Sequence, residues 1–139
     1  MTVNKSNSFE LDRVIMKNVV VINEQHNLLP QQEELVKRKL GGDIEFIKIP
    51  QLGLNKEEIE KLAKKLNTLE NTNIIIVSPI PLLLGLLACE HKERINDKNN
   101  YLYIFHNDKR EKKEINGVIR SVVASDGWEL IKLYDKTTE

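Results

Sequence analysis

A short polar segment containing a histidine is the first candidate for chemistry in this chain. Asn23-Glu24-Gln25-His26-Asn27 directly follows four β-branched residues, Val19 to Ile22. His26 could act as a general acid or base, because a free imidazole titrates near neutral pH. The amide side chains of the segment could hold a polar ligand. Alternatively, Asn23 and His26 only satisfy backbone groups where a strand turns into a helix.

A second polar loop, Ser78-Pro79-Ile80-Pro81, follows another β-branched run, Ile74 to Val77. Ser78 could hydrogen-bond a phosphate, and the prolines would make one wall of a site rigid. Alternatively, Ser78 only caps the helix that begins after the loop. The apolar residues that follow, Leu82 to Leu87, are interpreted as core or as a dimer contact.

A third loop, His106-Asn107-Asp108-Lys109-Arg110, is the most polar stretch directly after a predicted strand. Lys109 and Arg110 could clamp a phosphate, and the arginine offers two parallel donors. The alternative is a solvated charged run leading into a hairpin, which is the interpretation for Lys112 and Lys113. His106 stands at the strand end and fits either interpretation.

Several familiar kinds of site are disfavoured by the sequence. It has neither the glycine-rich dinucleotide fingerprint nor the lysine-containing P-loop motif. Its three histidines, His26, His91 and His106, lack the spacing of metal ligands. A Ser-His-Asp triad of Ser78, His106 and Asp126 lacks the nucleophile-elbow motif and is rejected. We therefore expect no metal and no cofactor.

Alternating strand and helix patterns must position the three loops. The predicted strands are residues 19–22, 44–49, 74–77 and 101–105, and the predicted helices are residues 30–40, 55–66 and 82–91. This order predicts the α/β class, with a Rossmann-like, mostly parallel sheet and flanking helices. Asn116-Gly117 between two strand patterns predicts a C-terminal β-hairpin. Residues 128–133 form either a last strand or a short helix.

The predicted sheet gives the three polar loops a common place. Ligands of such sheets bind outside the carboxyl ends of the strands, near the point where the strand order reverses. Residues 23–27, 78–81 and 106–110 all follow predicted strands. We therefore expect these loops to gather at one edge and to form an anion-binding cleft.

Length and composition limit the kinds of partner. A chain of 139 residues fits one domain, predicted at residues 17–135 after a flexible tail over residues 1–16. Basic and acidic residues both number 21, and this balance argues against a non-specific binder of duplex DNA. The longest apolar run, Pro79 to Cys89, is far shorter than the roughly 20 residues that span a bilayer. The single cysteine, Cys89, fits a reducing cytoplasm.

The order of elements and the first loop resemble the small CRISPR-associated Rossmann-fold (CARF) proteins. In stand-alone members of that family, a strand runs into a short polar segment with a histidine, and a helix containing glutamine follows. The residues at comparable places in this chain are His26, Leu28 or Leu29, Pro30 and Gln32. Ser78-Pro79-Ile80-Pro81 and its apolar helix look like the family's second ligand loop. The resemblance covers roughly residues 17–105.

This resemblance implies recognition of cyclic oligoadenylate, the second messenger of type III CRISPR defence, across the two-fold axis of a homodimer. It also implies a metal-independent ring nuclease, in which a ribose 2′-OH attacks the adjacent phosphate and leaves a 2′,3′-cyclic phosphate. His26 would then transfer the proton, and Lys109 or Arg110 would stabilise the transition state. The ligand-binding residues would be Asn23, Gln25, Asn27, Ser78, Pro79 and His106.

Two other functions stay open at this point. A protein of the same fold could sense or sequester the messenger without cleaving it. Alternatively, the chain could be a structural or interaction domain that uses its hairpin as a docking arm.

Overall fold

The computed structural model describes residues 15–93 and 97–133. Residues 1–14 of the predicted tail (residues 1–16) lie outside the described residues. Residues 134–135, at the end of the predicted domain, also lie outside them. The strands are β1 (Lys17–Asn23), β2 (Ile44–Ile49), β3 (Thr72–Ile76), β4 (Asn100–His106), β5 (Arg110–Ile115), β6 (Val118–Val123) and β7 (Glu129–Leu133). The helices are α1 (Pro30–Lys39), α2 (Lys56–Asn67) and α3 (Pro81–Glu93).

A five-stranded sheet with the order β2-β1-β3-β4-β7 forms the centre. Strands β2, β1, β3 and β4 are parallel to one another, and β7 runs antiparallel to β4. Residues 128–133 therefore contribute a strand, and the alternative of a short helix is wrong. β5 and β6 form the predicted hairpin as a separate two-stranded sheet. The Rossmann-like α/β fold with a C-terminal hairpin is confirmed.

The β-branched residues of β1 explain why helices cover both faces of the sheet. Successive side chains of a strand point to opposite faces, so a strand covered on both faces must be apolar throughout. Val19 and Val21 pack in the core under α2 and α3. Val20 and Ile22 pack in a second core under α1.

Local signals in the sequence set the ends of several elements. At the start of α2, Asn55 Oδ1 accepts from the Glu58 N–H at 2.8 Å, and Glu58 Oε1 accepts from the Asn55 N–H at 2.9 Å. This reciprocal pair of bonds is a capping box. Asn116 and Gly117 have φ angles of 52° and 78°, as the type I′ turn of a tight hairpin requires.

Buried asparagines close the amino-terminal edge of the sheet. Asn73 Nδ2 donates to Asn18 Oδ1 at 3.0 Å, and Asn18 Nδ2 donates to the Gly41 carbonyl after α1. Asn100 Nδ2 donates to the Leu69 carbonyl at 2.7 Å. These amide groups form hydrogen bonds with polar groups that are buried in the folded protein, so their role is structural.

Candidate functional site

A cavity of about 420 Å³ opens where β1 and β3 end. β1 lies between β2 and β3, so the strand order reverses at this point, where ligands of open α/β sheets bind. Asn23 and His26 of the first loop line the cavity, together with Ser78 and Pro79 of the second. The structure thus brings two of the three predicted loops into one concave site.

Ser78 joins the two loops. Its Oγ accepts a hydrogen bond from the Asn23 N–H at 2.6 Å. The backbone N–H of Ser78 lies 3.4 Å from the Val21 carbonyl oxygen, which holds the loop against β1. Because the hydroxyl accepts in the bond to Asn23, its own proton is left for donation to a ligand.

Asn23 shapes the first loop as well as lining the cavity. Its Oδ1 accepts from the Gln25 N–H at 2.9 Å, and its backbone carbonyl accepts from the His26 N–H at 2.9 Å. This is an Asx turn, in which a side chain replaces a backbone acceptor. His26 is left exposed at the cavity. Gln25 and Asn27 are also exposed, and neither is among the described residues that line it.

Two charged residues hold this loop in place, and neither was among the residues predicted from the sequence. Lys48 Nζ donates to the His26 carbonyl at 3.3 Å, and Glu24 Oε1 accepts from the Gln51 N–H at 2.8 Å. In the parallel register, Lys48 lies beside Ile22 and the end of β2 lies beside the end of β1. Both contacts depend on the register of β1 and β2, which no local sequence pattern indicates.

The remaining walls of the cavity are apolar or small. They are Ile49, Gly53, Leu54, Ile59, Ile80 and Pro81. α3 begins at this wall, and its first turn contains no acidic residue. Of the described residues that line the cavity, none is Lys, Arg, Asp or Glu. The site therefore offers neutral hydrogen-bonding groups and one imidazole against apolar walls.

The third predicted loop does not line the cavity. His106 lies opposite Glu129 of β7 and is exposed, and Arg110 begins β5 and is exposed. Lys109 Nζ lies 2.9 Å and 3.1 Å from the two carboxylate oxygens of Asp126. The hydrogen bond from Lys109, and then its charge, lower the pKa of the Asp126 carboxyl below its ordinary value.

Asn107 explains why the third loop follows the hairpin and not the cavity. Its Nδ2 donates to the carbonyls of Ala124 at 3.0 Å and Asp126 at 2.7 Å. Its Oδ1 accepts from the Lys109 N–H at 2.9 Å. A Cβ at Gly127 would lie 3.2 Å from that Oδ1, so the two segments pack closely. These bonds tie the loop to the segment that follows β6, at the base of the hairpin.

The glutamines of α1 are used inside the fold. Gln32 is buried, and its Oε1 accepts from the Leu29 N–H at 2.9 Å at the helix start. Gln31 Oε1 accepts from the Trp128 N–H at 2.9 Å, which joins α1 to the segment before β7. Both carbonyl groups therefore have structural partners.

Among residues 15–93 and 97–133, no group of three or more His, Cys, Asp or Glu side chains is arranged to hold a metal ion. Over the same residues, no helix has the length and apolarity needed to cross a membrane.

Comparisons with protein-family models, curated proteins and solved structures find no significant match to the chain.

Proposed function

We propose that this protein binds cyclic oligoadenylate in the cavity between β1 and β3 and cleaves it as a metal-independent ring nuclease. The observation that carries the proposal is the meeting of Asn23, His26 and Ser78 in one cavity at the point where the strand order reverses. The resemblance of the first two loops to the CARF proteins supplies the identity of the ligand.

The size and chemistry of the cavity support this ligand class. A volume of about 420 Å³ falls in the range of roughly 300–1,000 Å³ that is usual for small-molecule sites. Ile80 and Pro79 offer apolar surface for an adenine base, and Ser78 and Asn23 offer polar groups for a ribose or a phosphate. One nucleotide of a larger ring fits such a cavity while the rest of the ring lies outside it.

The proposed reaction needs no group beyond the ligand and this chain. The ribose 2′ oxygen attacks the adjacent phosphorus, the bond from phosphorus to the 5′ oxygen breaks, and a 2′,3′-cyclic phosphate forms. The proton of the 2′-OH ends on the 5′ oxygen, and His26 is the group that carries it. Asn23 and Ser78 hold the reacting unit in line.

A second candidate is a protein that binds the ring without cleaving it. The uncharged lining of the cavity favours this alternative, because none of the described lining residues is a cation that could stabilise a pentavalent phosphate. Such a protein would act as a sensor or a sponge for the messenger.

The decisive experiment incubates the protein with cyclic tri-, tetra- and hexa-adenylate in the presence of EDTA and resolves the products. Linear fragments with 2′,3′-cyclic phosphate ends are expected. Recovery of an intact ring that co-elutes with the protein would support the binder. If no ring binds or raises the melting temperature, both candidates are wrong and a structural or interaction domain is favoured.

Substitution of His26 separates the enzyme from the binder. His26→Ala is expected to reduce turnover by roughly 100- to 10,000-fold, which is the usual contribution of a general acid or base, while most of the affinity is retained. Turnover is followed in single-turnover assays and affinity by calorimetry. Unchanged cleavage by His26→Ala would remove this residue from the mechanism. His106→Ala tests the third loop in the same assays, and a loss of turnover there would return that loop to the site.

A further inference from the structure

The imidazole of His26 depends on its own backbone for its position. The hydrogen bonds between His26 and the other described residues are made by its main chain. Its N–H donates to the Asn23 carbonyl at 2.9 Å, and its carbonyl accepts from Lys48 Nζ at 3.3 Å. The ring is exposed at the cavity. A displacement of about 1 Å can cost on the order of 100-fold in rate, so the path of this backbone decides whether the ring can act.

Lys48 holds the histidine from outside the loop. Two further bonds tie the loop to β2 and to the turn after it, and both are made by Glu24, two residues before the histidine. The Glu24 N–H donates to the Ile49 carbonyl at 2.8 Å, and Glu24 Oε1 accepts from the Gln51 N–H at 2.8 Å. The bond from Lys48 therefore extends this attachment to the residue that carries the imidazole.

The place of Lys48 in the sheet explains why a long side chain is used. Lys48 lies beside Ile22 in the parallel register, and His26 follows Ile22 by four residues. A lysine carries three donors at the end of a four-carbon stem, so it can reach past the end of β1. The ring of Phe46, two residues earlier on the same face of β2, has its centroid 5.0 Å from Nζ. This cation–π contact steadies the ammonium where it meets the carbonyl.

The surroundings of Lys48 point to a local role and not to a general stabilising one. The side chain is exposed, and none of the ion pairs among the described residues includes it. Exposed charged groups contribute little to the stability of a fold. The ammonium instead donates to a neutral carbonyl of the first loop. Loss of this donor should therefore change the loop and leave the sheet intact.

On the proposed function, on which this inference rests, the His26 imidazole has to meet the 2′ and 5′ oxygens of the ligand. We propose that Lys48 is a positioning residue of the ring nuclease, whose hydrogen bond to the His26 carbonyl holds the imidazole where it transfers the proton. Phe46 supports the ammonium in this position. Neither Lys48 nor Phe46 is among the described residues that line the cavity, so Lys48 acts through His26 and not through the ligand.

The contact is tested without any ligand by NMR spectroscopy. Lys48→Met keeps a long, unbranched side chain and removes the donor, so the resonance of the His26 carbonyl carbon should shift. Lys132→Met is the matched control, because Lys132 lies on the other edge strand and its Nζ is 4.6 Å from the centroid of the Tyr101 ring. The control should leave the His26 resonance unchanged. An unshifted resonance in Lys48→Met, or equal shifts in both variants, overturns the contact.

Kinetics on the ring that the wild type cleaves separate positioning from ligand binding. Lys48→Met is expected to lower kcat by roughly 10- to 100-fold while KM stays within about 3-fold of wild type. Lys48→Arg keeps a charged donor on a long side chain and should restore most of kcat. A raised KM with unchanged kcat would show that Lys48 contacts the ligand itself. That result, or a failure of arginine to restore kcat, overturns the assignment.

The support from Phe46 is tested by combining two substitutions. Phe46→Leu should lower kcat by about 2- to 5-fold, the usual range of an exposed cation–π contact. In the Lys48→Met protein it should have no further effect, because the ring then has no ammonium to hold. A Phe46→Leu effect that is absent from the wild type, or equal in both proteins, overturns the role of the ring. If the wild type neither binds nor cleaves any ring, the proposed function fails, while the NMR measurement still decides whether Lys48 holds the His26 carbonyl.

Discussion

Single side chains at the ends of β1 and β3 serve the fold and the candidate site together. The Ser78 hydroxyl oxygen accepts from the Asn23 N–H at 2.6 Å, and its own proton stays available for donation. Residues of this kind could be predicted from the sequence, because they directly follow buried strands whose ends meet at one edge. Lys48 could not, since its contact with the His26 carbonyl depends on the register of two strands. The pairing of Lys109 with Asp126 joins residues on either side of the hairpin, so no local pattern indicates it.

Replacing Ser78 by alanine should weaken the fold at the site. The Asn23 N–H loses its acceptor, and a partly buried donor left without a partner costs about 1–3 kcal/mol of unfolding free energy. Urea unfolding measures this loss. Ser121→Ala, at an exposed position of β6, is the control and should change stability by less than about 0.5 kcal/mol. Equal effects of the two substitutions would show that the Ser78 bond does not hold the loops.

The Lys109–Asp126 pair should make stability depend on pH in a defined direction. Because Lys109 lowers the pKa of Asp126 in the folded state, the pair stabilises the fold above the ordinary pKa of the carboxyl. This contribution is lost as the pH falls through the lowered pKa. Asp126→Asn should thus slightly lower the melting temperature at neutral pH, since both side chains are more than half exposed. The difference from wild type should close below the lowered pKa, and a constant difference at all pH values would contradict this.

At the scale of elements, the order of strands and helices was predictable because each element carries its own pattern. β1 and β3 are continuous β-branched runs, α2 begins with a capping box, and Asn116-Gly117 sets the hairpin turn. The position of the hairpin was not predictable. It depends on Asn107, whose three bonds reach Lys109, just before β5, and Ala124 and Asp126, just after β6.

Asn107→Ala should loosen the hairpin while the five-stranded sheet keeps its stability. Loss of its three bonds at roughly 1 kcal/mol each predicts amide hydrogen exchange on the order of 100-fold faster in β5 and β6. Asn55→Ala is the control, because it removes the cap of α2 and should speed exchange only at the start of that helix. Unchanged exchange in β5 and β6 would show that Asn107 does not anchor the hairpin.

For the whole molecule, the two cores explain the fold prediction, and the path of the chain after β4 explains why the third loop lies away from the cavity. The apolar patterns of the parallel strands dictate a sheet covered on both faces, with α2 and α3 on one side and α1 on the other. The same argument placed the loop after β4 at the edge where β1 and β3 end. That loop instead continues into the hairpin and returns as β7, which pairs antiparallel with β4. The strand ends meet as predicted, but the path of the chain after β4 takes the third loop out of the cavity.

The core between the sheet and α3 should dominate the stability of the domain. Leu87 of α3 is fully buried, so Leu87→Ala should reduce the unfolding free energy by about 2–5 kcal/mol. Denaturant unfolding gives the value. Cys89→Ala on the exposed side of the same helix is the control and should change it by less than about 0.5 kcal/mol. A loss below about 1 kcal/mol for Leu87→Ala would mean that the helix is not anchored there.

The place of β7 in the sheet has a consequence for biosynthesis. Leu130 and Trp128 complete the core under α1, and Trp128 packs edge-on against Phe105 with ring centroids 6.2 Å apart. A nascent chain that has emerged only as far as the hairpin already contains the four parallel strands, but this aromatic face is still open to solvent. Exposed apolar surface of that kind promotes aggregation during synthesis. We therefore expect a nascent chain to stay prone to aggregation until β7 pairs with β4 and covers this face.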